Sequence, residues 1–273
     1  MIEQFHRPAT IREALALKKR FQGRAVFLAG GTFVNSSASA LHPEQLISLA
    51  GLGLDRIERK QGAVVIGPLC TLQRLIDDRK VPATLKAAVS QLVPRTVREA
   101  ATLGGHVASN PPYSDVIPML VALEAKLGLS RPGTAKTMRV ADYAEKPATG
   151  RITKIVLPQP KAGRVAAGRN SRASANARSI VSAAVSVTVV RNTVKHPVIA
   201  LGGVAGQVVR LTAVEDALDG KPLPPMDELQ ALVSRAVRPA ADLSGSAAFR
   251  KYQAGVVVAL ALQDALGQKR GRR

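Results

Sequence analysis

The sequence predicts an α+β protein in which short strands and capped helices alternate along the chain. Its 273 residues, 46% of them hydrophobic, suffice for the core of one large domain or two modest ones. The apolar residues are mainly Ala, Val and Leu, and aromatic residues make up only 3%. Short apolar runs end at glycine or proline, whereas amphipathic runs begin at Ser or Thr, which is typical of mixed strand and helix structure.

The elements of the N-terminal part follow from caps, apolar runs and breakers. Thr10 and Glu13 form a capping box, so a helix is expected to run to about Arg20. Ser114 is expected to cap a helix whose apolar face extends as far as Leu127, and residues 131–150 are predicted to be loop-rich. The other predicted elements are strands at 25–28, 46–49, 64–67 and 152–157, and helices at about 71–78 and 83–92.

Near Lys161 the composition changes to Gly, Ala, Arg and Ser, which predicts a domain boundary there. Two apolar runs beyond it, at 182–191 and 196–206, are predicted strands. A helix is expected over Thr212–Leu218, and a final one from about Ser246 to Leu266, where Gly267 ends it.

Net charge is unusual, because 39 Lys and Arg residues oppose 19 Asp and Glu residues and leave a formal balance of +20. From Lys146 through Ala213 there is no acidic residue but eleven basic ones, and four more basic residues close the chain. Such a field attracts polyanions. However, no nucleic-acid motif or aromatic interleaving accompanies it, so specific nucleic-acid binding is disfavoured. Two interpretations stay open: a solvated basic face, and a docking face for an acidic partner subunit.

Several classes of protein are disfavoured by single observations. Cys70 is the only cysteine, so neither a disulfide framework nor an iron–sulfur cluster is expected within this chain. Its apolar neighbours favour a buried thiol over a nucleophile. The four histidines are scattered, which disfavours a metal site. No signal peptide or membrane-spanning run is evident, which predicts a cytoplasmic protein.

Two Gly-Gly pairs, each beside a threonine, follow apolar runs at Leu28–Thr32 and Thr102–His106. Paired glycines permit positive φ and lack Cβ atoms, so consecutive backbone amides can converge on an anion. Two such segments facing each other would suit a dinucleotide pyrophosphate. Neither matches the Rossmann or Walker pattern, and a single pair is more often a tight turn. A third pair, Gly202-Gly203, lacks a neighbouring threonine and is interpreted as structural.

Several sequence blocks, in order and at compatible spacing, resemble the FAD subunit of molybdenum hydroxylases, the family of xanthine dehydrogenase and carbon monoxide dehydrogenase. The resemblance covers nearly the whole chain, and the second Gly-Gly block matches it without a gap. The blocks are FLAGGT, IGPLCTLQRL, ATLGGHVASNPPYSDVIPMLVALEA, ITKIVLP, SAAVSVTV, LGGVAG, VEDALDGKPL and SGSAAFRKYQAGVVVALALQDAL.

The resemblance implies a vanillyl-alcohol-oxidase (PCMH)-type FAD-binding fold of two subdomains, followed by a small α+β C-terminal domain. The implied bounds are 1–160 for the first domain, with subdomains at about 1–55 and 56–160, then 161–268 and a basic tail at 269–273. Asp115 would bind cofactor hydroxyls, and Arg169 stands where relatives tend to have a lysine. The implied cofactor-binding residues are Ala29, Gly30, Gly31, Thr32, Phe33, Val34, Thr102, Leu103, Gly104, Gly105, His106, Ala108, Asp115 and Arg169.

The resemblance also implies an oxidoreductase role without substrate chemistry in this chain, and no catalytic acid or base is assigned. A large subunit would carry the molybdenum cofactor, and a small subunit two [2Fe–2S] clusters. Electrons would pass from the small subunit to FAD here and then to an external acceptor. A hetero-oligomer is expected, with a dimer of heterotrimers as one arrangement.

Three departures from the family pattern leave alternatives open. Phe33 replaces an Asp, Glu or His of many relatives, His106 replaces an Asn, and Arg178 replaces an apolar residue beside the flavin ring. A scaffold subunit that has lost FAD is therefore one alternative. A stand-alone flavin oxidoreductase of the same fold is another, disfavoured because no second substrate site is evident.

Overall fold

A computed structural model of the chain describes residues 2–36, 39–131, 134–148, 150–159, 163–173, 177–191 and 193–267. The strands form three separate sheets of three, five and four strands, and helices pack between and around them. The predicted α+β class is confirmed. The predicted domain boundary at 160–161 and the basic tail at 269–273 lie outside the described residues.

A small parallel sheet opens the fold, in the strand order β1-β3-β2. Its elements are β1 (Gln4–His6), α1 (Ile11–Phe21), β2 (Ala25–Leu28) and β3 (Gln45–Ser48). The predicted capping box holds the start of α1: Thr10 Oγ1 accepts the Glu13 amide at 3.1 Å, and Glu13 Oε2 accepts the Ala9 amide at 2.8 Å. Strand β2 ends at Leu28, and one residue separates it from the first Gly-Gly pair.

The second unit is an antiparallel sheet in the order β4-β5-β8-β6-β7, covered by six short helices. The strands are β4 (Ile57–Lys60), β5 (Ala63–Ile66), β6 (Lys126–Arg131), β7 (Thr134–Arg139) and β8 (Arg151–Leu157). The helices are α2 (Leu72–Asp77), α3 (Ala83–Leu92), α4 (Arg95–Ala100), α5 (Leu103–Ser109), α6 (Val116–Ala122) and α7 (Val140–Glu145). Their apolar faces share one large core.

Two predictions for this region are wrong. The helix begun by Ser114 ends at Ala122, and Leu127 lies on β6 instead. Glu124 adopts a φ of +52° just after the helix, and from there Leu127 and Leu129 are buried in the sheet, so an extended segment replaces the helix. The segment predicted to be loop-rich, residues 131–150, contains all of β7 and α7.

The C-terminal unit is an antiparallel sheet in the order β12-β11-β10-β9 with three helices. These are β9 (Arg164–Ser171), β10 (Ser179–Val190), β11 (Thr193–Gly202), β12 (Val209–Arg210), α8 (Thr212–Leu218), α9 (Met226–Ala236) and α10 (Ala247–Leu266). As predicted, α10 starts after Ser246, whose hydroxyl accepts the Phe249 amide, and ends at Gly267 with φ +72°.

The second and C-terminal units are packed against each other along β9, β10 and β11. Helix α6 lies on β10 and β11, and α3 contacts β9. Ala184, Val198 and Ala200 of the C-terminal sheet are buried in the same core as α6. None of the helices in the described part of the chain has the length and apolarity needed to cross a bilayer.

Candidate functional site

The first Gly-Gly pair lies in an open loop after β2 and directly against the second unit. Gly31 adopts a φ of +71°, where glycine is favoured. A β-carbon built on Gly30 would lie 1.7 Å from Ala100 O and 3.2 Å from Ala101 N. The loop therefore touches the backbone just before Thr102, so the two Gly-Gly segments meet as the sequence predicted.

The backbone amides at the start of this loop donate to no acceptor in the described part of the chain. Among the described residues, the amides of residues 30–34 have no hydrogen-bond partner, whereas the Asn35 amide donates to Gly31 O at 3.0 Å. A buried amide without an acceptor is costly, so exposed runs of this kind face solvent or a ligand. Phe33 is 38% exposed at the loop surface. The geometry suits an anion bound by main-chain donors.

The second Gly-Gly pair is not a loop but the first turn of α5. Its amides are engaged within the chain: Leu103 N donates to Cys70 O at 2.9 Å, Gly104 N to Pro68 O at 2.9 Å, and Gly105 N to Thr102 Oγ1 at 3.1 Å. The expectation that these amides converge on an anion is therefore wrong. A β-carbon on Gly104 would lie 2.5 Å from Pro68 Cβ, so Gly104 permits close packing of backbone on Pro68.

His106, one turn into α5, is a neutral imidazole held by Ser114. Its Nε2 lies 2.7 Å from Ser114 Oγ, which also accepts the amides of Val116 and Ile117 at 3.1 and 2.8 Å. Both lone pairs of that oxygen are thus used, so its proton is donated to Nε2 and the ring proton sits on Nδ1. Burial lowers the pKa of His106 to about 4. At neutral pH His106 offers one Nδ1–H donor, and Ala108 is exposed beyond it.

Asp115 and Arg169, distant in sequence, lie together where the second and C-terminal units meet. Arg169 Nη1 is 3.7 Å from Asp115 Oδ2, and the Ser179 hydroxyl donates to Asp115 Oδ1 at 2.5 Å. Burial raises the pKa of Asp115, and the Ser179 hydrogen bond and the Arg169 charge oppose that rise. Arg169 also donates to the carbonyl oxygens of Gln91, at 2.9 Å, and Ala177.

Both partners of this pair keep a buried polar atom without a hydrogen bond. Asp115 Oδ2, although 3.7 Å from Arg169 Nη1, accepts no hydrogen bond, and Arg169 Nε donates none among the described residues. A cavity of about 170 Å³ lies beside them, bounded by α3, α6, β9 and β10. Ligand pockets are usually about 300–1,000 Å³, so this cavity fits part of a dinucleotide rather than the whole. An acceptor and a donor that lack partners are what hydroxyl groups of a cofactor would satisfy.

Several contributing residues were not predicted from the sequence. Ser179 and Gln91 contact the Asp115–Arg169 pair, and Pro68 and Ala100 form the surfaces on which the glycines pack. No motif marked them, because each acts through a contact between segments far apart in the chain. Two larger cavities, of 310 and 460 Å³, flank Pro222–Pro225 and contain none of the candidate residues.

Cys70 and the histidines behave differently from reactive or metal-binding groups. Cys70 is fully buried, and burial raises the pKa of its thiol to about 12, so it stays protonated as predicted. Within the described ranges, no three His, Cys, Asp or Glu residues lie close enough together to hold a metal ion.

Two family models match the chain. The FAD-binding domain in molybdopterin dehydrogenase matches residues 1–160, and the CO dehydrogenase flavoprotein C-terminal domain matches residues 166–265.

Similar proteins span nearly the same length. YgfM of Escherichia coli (strain K12) is 37% identical over 262 residues, which cover 95% of each chain. The carbon monoxide dehydrogenase medium chain of Afipia carboxidovorans is 28% identical over 277 residues, covering 96% of each. Among solved structures, carbon monoxide dehydrogenase from Hydrogenophaga pseudoflava superposes with a TM-score of 0.89 at 27% identity, covering 99% of both chains.

Proposed function

The chain belongs to the FAD-binding domain family of molybdopterin dehydrogenases, and on that premise we propose that it is the subunit that carries electrons through FAD in a molybdenum hydroxylase. Membership confirms three predictions: the PCMH-type FAD-binding fold with its C-terminal domain, the FAD cofactor, and the oxidoreductase class. The specific route of the electrons and the residues that hold the cofactor belong to the proposal.

The first loop, Ala29–Val34, would bind the pyrophosphate with its main-chain amides. This assignment is supported by the absence of hydrogen-bond partners for the amides of residues 30–34 within the described chain. That single observation carries the proposal, because exposed amides that no acceptor of the described chain uses can donate to a bound phosphate. Phe33 does not obstruct such binding, since the amides rather than side chains would be used.

The second segment would contribute a surface rather than amide donors. Thr102, Leu103, Gly104, Gly105 and Ala108 would line the cofactor, as the family resemblance implies, with the start of α5 held in place by packing of Gly104 on Pro68. His106 would donate through Nδ1, as an asparagine amide would. Asp115 and Arg169 would bind cofactor hydroxyls with their unpartnered Oδ2 and Nε atoms.

Two partner subunits follow from the same proposal. Bound FAD would take electrons from a [2Fe–2S] small subunit and deliver them to an external acceptor, while a large subunit holds the molybdenum cofactor. The similarity to the medium chain of carbon monoxide dehydrogenase supports a hetero-oligomer. The excess of 39 basic over 19 acidic residues would favour docking to an acidic subunit.

The decisive experiment is reconstitution of the purified full chain with FAD. We expect the absorption bands of an oxidised flavin to co-elute with the protein, and FMN, which lacks the second phosphate and the adenosine, to bind more weakly. A colourless protein that takes up no FAD would contradict the proposal and favour the scaffold alternative. Co-purification with acidic subunits should be lost at high salt if the basic surface mediates docking.

A further inference from the structure

The turn that carries Asp115 is held by the C-terminal unit as well as by its own helix α6. Residues Pro112–Asp115 belong to the second unit, yet three of the four make direct hydrogen bonds to β10 or the end of β11. These bonds join Pro112 O to the Gly203 amide at 2.7 Å, Ser114 O to Ser182 Oγ at 2.8 Å, and Asp115 Oδ1 to Ser179 Oγ at 2.5 Å.

Tyr113, the remaining residue of this turn, enters a charged cluster in the C-terminal unit. Its hydroxyl donates to Asp242 Oδ2 at 2.5 Å. Its ring lies under two guanidinium groups, with Arg178 Cζ 4.5 Å and Arg250 Cζ 5.1 Å from the ring centroid. The unexpected charge of Arg178 is therefore accommodated by an aromatic face, a cation–π contact.

Arg250 is the centre of the cluster and only 1% exposed. Nη1 donates to Ile180 O at 3.0 Å and to Gly203 O at 2.9 Å, and Nη2 donates to Asp242 Oδ1 at 2.5 Å. The Gly203 carbonyl thus accepts a hydrogen bond from Arg250, and the Gly203 amide donates to Pro112 O. The third Gly-Gly pair is therefore structural, as the sequence predicted. The Tyr113 hydrogen bond and the Arg250 charge hold the pKa of Asp242 well below its ordinary range, so it is an anion at neutral pH.

This arrangement links the charge of Arg250 to the side chain of Tyr113 and to the backbone of Pro112 before it. One path runs through Asp242 to the Tyr113 hydroxyl, and the other through Gly203 to Pro112 O. A shift of the cluster would therefore move the Asp115 carboxylate relative to Arg169. Burying a charged group so completely is costly, and removing one partner of such a pair leaves the other charge uncompensated.

We propose that Tyr113, Asp242 and Arg250 are positioning residues through which the C-terminal unit sets Asp115 for the cofactor. The inference rests on the proposed function, since Asp115 matters to a ligand only if FAD binds there. Each would act through the turn that carries Asp115 rather than on the cofactor itself. Their role is to keep Asp115 Oδ2 directed at the cavity between α6 and β9.

The test uses the full chain and two substitutions, Tyr113→Phe and Asp242→Asn. FAD affinity is measured by titration of the apoprotein, well below its melting temperature, with the visible circular dichroism of the bound flavin. We expect each variant to bind FAD about tenfold more weakly, which corresponds to about 1.4 kcal/mol, and the dichroism to change.

A matched control is Glu215→Gln, which breaks another buried ion pair of the C-terminal unit. Arg210 Nη2 lies 2.8 Å from Glu215 Oε2, and Glu215 Oε1 also accepts the Ile199 amide. This variant should lose stability but keep FAD affinity and flavin dichroism unchanged. A merely structural network at Tyr113 would behave in the same way.

The outcomes separate the two proposals. If the unmodified chain takes up no FAD, the proposed function fails and this inference with it. If the unmodified chain binds FAD and Tyr113→Phe binds it with the same affinity and dichroism, only the positioning role is overturned. Tyr113→Phe removes a single hydroxyl, so it decides the matter even if Asp242→Asn does not fold.

Discussion

The two Gly-Gly segments look equivalent in sequence but do different work in the fold. In the first, at residues 30–31, the amides have no hydrogen-bond partner among the described residues. In the second, at residues 104–105, every nearby amide is bonded to Pro68, Cys70 or Thr102. The same dipeptide therefore offers donors at one place and close packing at the other.

The difference comes from what precedes each pair. The first follows β2, which ends at Leu28, and beyond it the amides of residues 30–34 have no hydrogen-bond partner among the described residues. The second follows a threonine that caps a helix, so its amides enter an α-helical pattern. Glycine is required in both, because a β-carbon would strike Ala100 O at one and Pro68 at the other.

The largest effect is expected from Gly30→Ala. Its β-carbon would lie 1.7 Å from Ala100 O, a backbone atom that cannot rotate away, so the loop must separate from the second segment. We expect FAD affinity to fall about a hundredfold, close to 2.8 kcal/mol, alongside overpacking strain of about 1–3 kcal/mol. Equilibrium titration and thermal melting measure the two effects. Gly23→Ala is the control, since nothing lies within 4 Å of a β-carbon there. Near-normal FAD affinity in Gly30→Ala would show that the close contact between the two segments is not needed for FAD binding.

The next effect is the acid sensitivity that His106 confers on the second segment. Burial lowers its pKa from 6.5 to about 4. Between these pH values the imidazole is protonated in the unfolded chain but neutral in the folded chain. Stability should therefore decrease as the pH falls from 6.5 to about 4, by about 2 kcal/mol after allowance for partial exposure.

His106→Asn should remove this part of the acid sensitivity, as denaturant unfolding between pH 7 and pH 4 would reveal. His42→Asn is the surface control, because His42 is exposed. An unchanged pH profile in His106→Asn would contradict the buried neutral imidazole and its bond to Ser114.

Asp115→Asn separates ligand binding from stability. Burial raises the pKa of Asp115, so the folded state holds its proton more tightly than the unfolded chain. Stability that depends on that proton is present at low pH and is lost as the pH rises from about 4 through the raised pKa. The asparagine resembles the protonated form, so the apoprotein should be as stable as the parent or more so at neutral pH.

FAD affinity in Asp115→Asn should nevertheless fall about tenfold, because a charged acceptor for cofactor hydroxyls is lost. Asp216→Asn, a carboxylate on the exposed side of α8, provides the control. If Asp115→Asn lowers the melting temperature and leaves FAD affinity intact, Asp115 is a structural residue rather than part of the site.

The sequence predicted those features that depend on local pattern. The capping box at Thr10, the strand that ends before Gly30 and the helix between Ser246 and Gly267 were all found where caps and breakers placed them. From the sequence, Asp115 and Arg169 could be assigned to one site only because the family resemblance names both residues. Their contact depends on α6 packing against β9 and β10, which no local pattern encodes.

The errors share one physical cause. Apolar spacing alone could not distinguish a helix that ends at Ala122 from one that continues to Leu127, because the turn at Glu124 is set by tertiary packing. The Gly-Gly pair at 104–105 is predicted to present free amides because paired glycines permit positive φ, and glycine is also a poor helix former. Packing against Pro68 requires glycine there and outweighs that propensity.

The smallest effect, and the sharpest test of the comparison, is expected from Thr102→Val. The Thr102 hydroxyl accepts the Gly105 amide at 3.1 Å, so its loss should cost α5 a cap, about 0.5–2 kcal/mol. Thr10→Val removes an equivalent cap from α1, where Thr10 Oγ1 accepts the Glu13 amide, and should cost a similar amount. Denaturant unfolding of both variants measures this loss, and in each we expect FAD affinity to change less than it does in Gly30→Ala. If Thr102→Val abolishes FAD binding while its stability equals that of the parent, the hydroxyl serves the cofactor directly. The second segment would then supply a donor after all, and the contrast between the two Gly-Gly pairs would disappear.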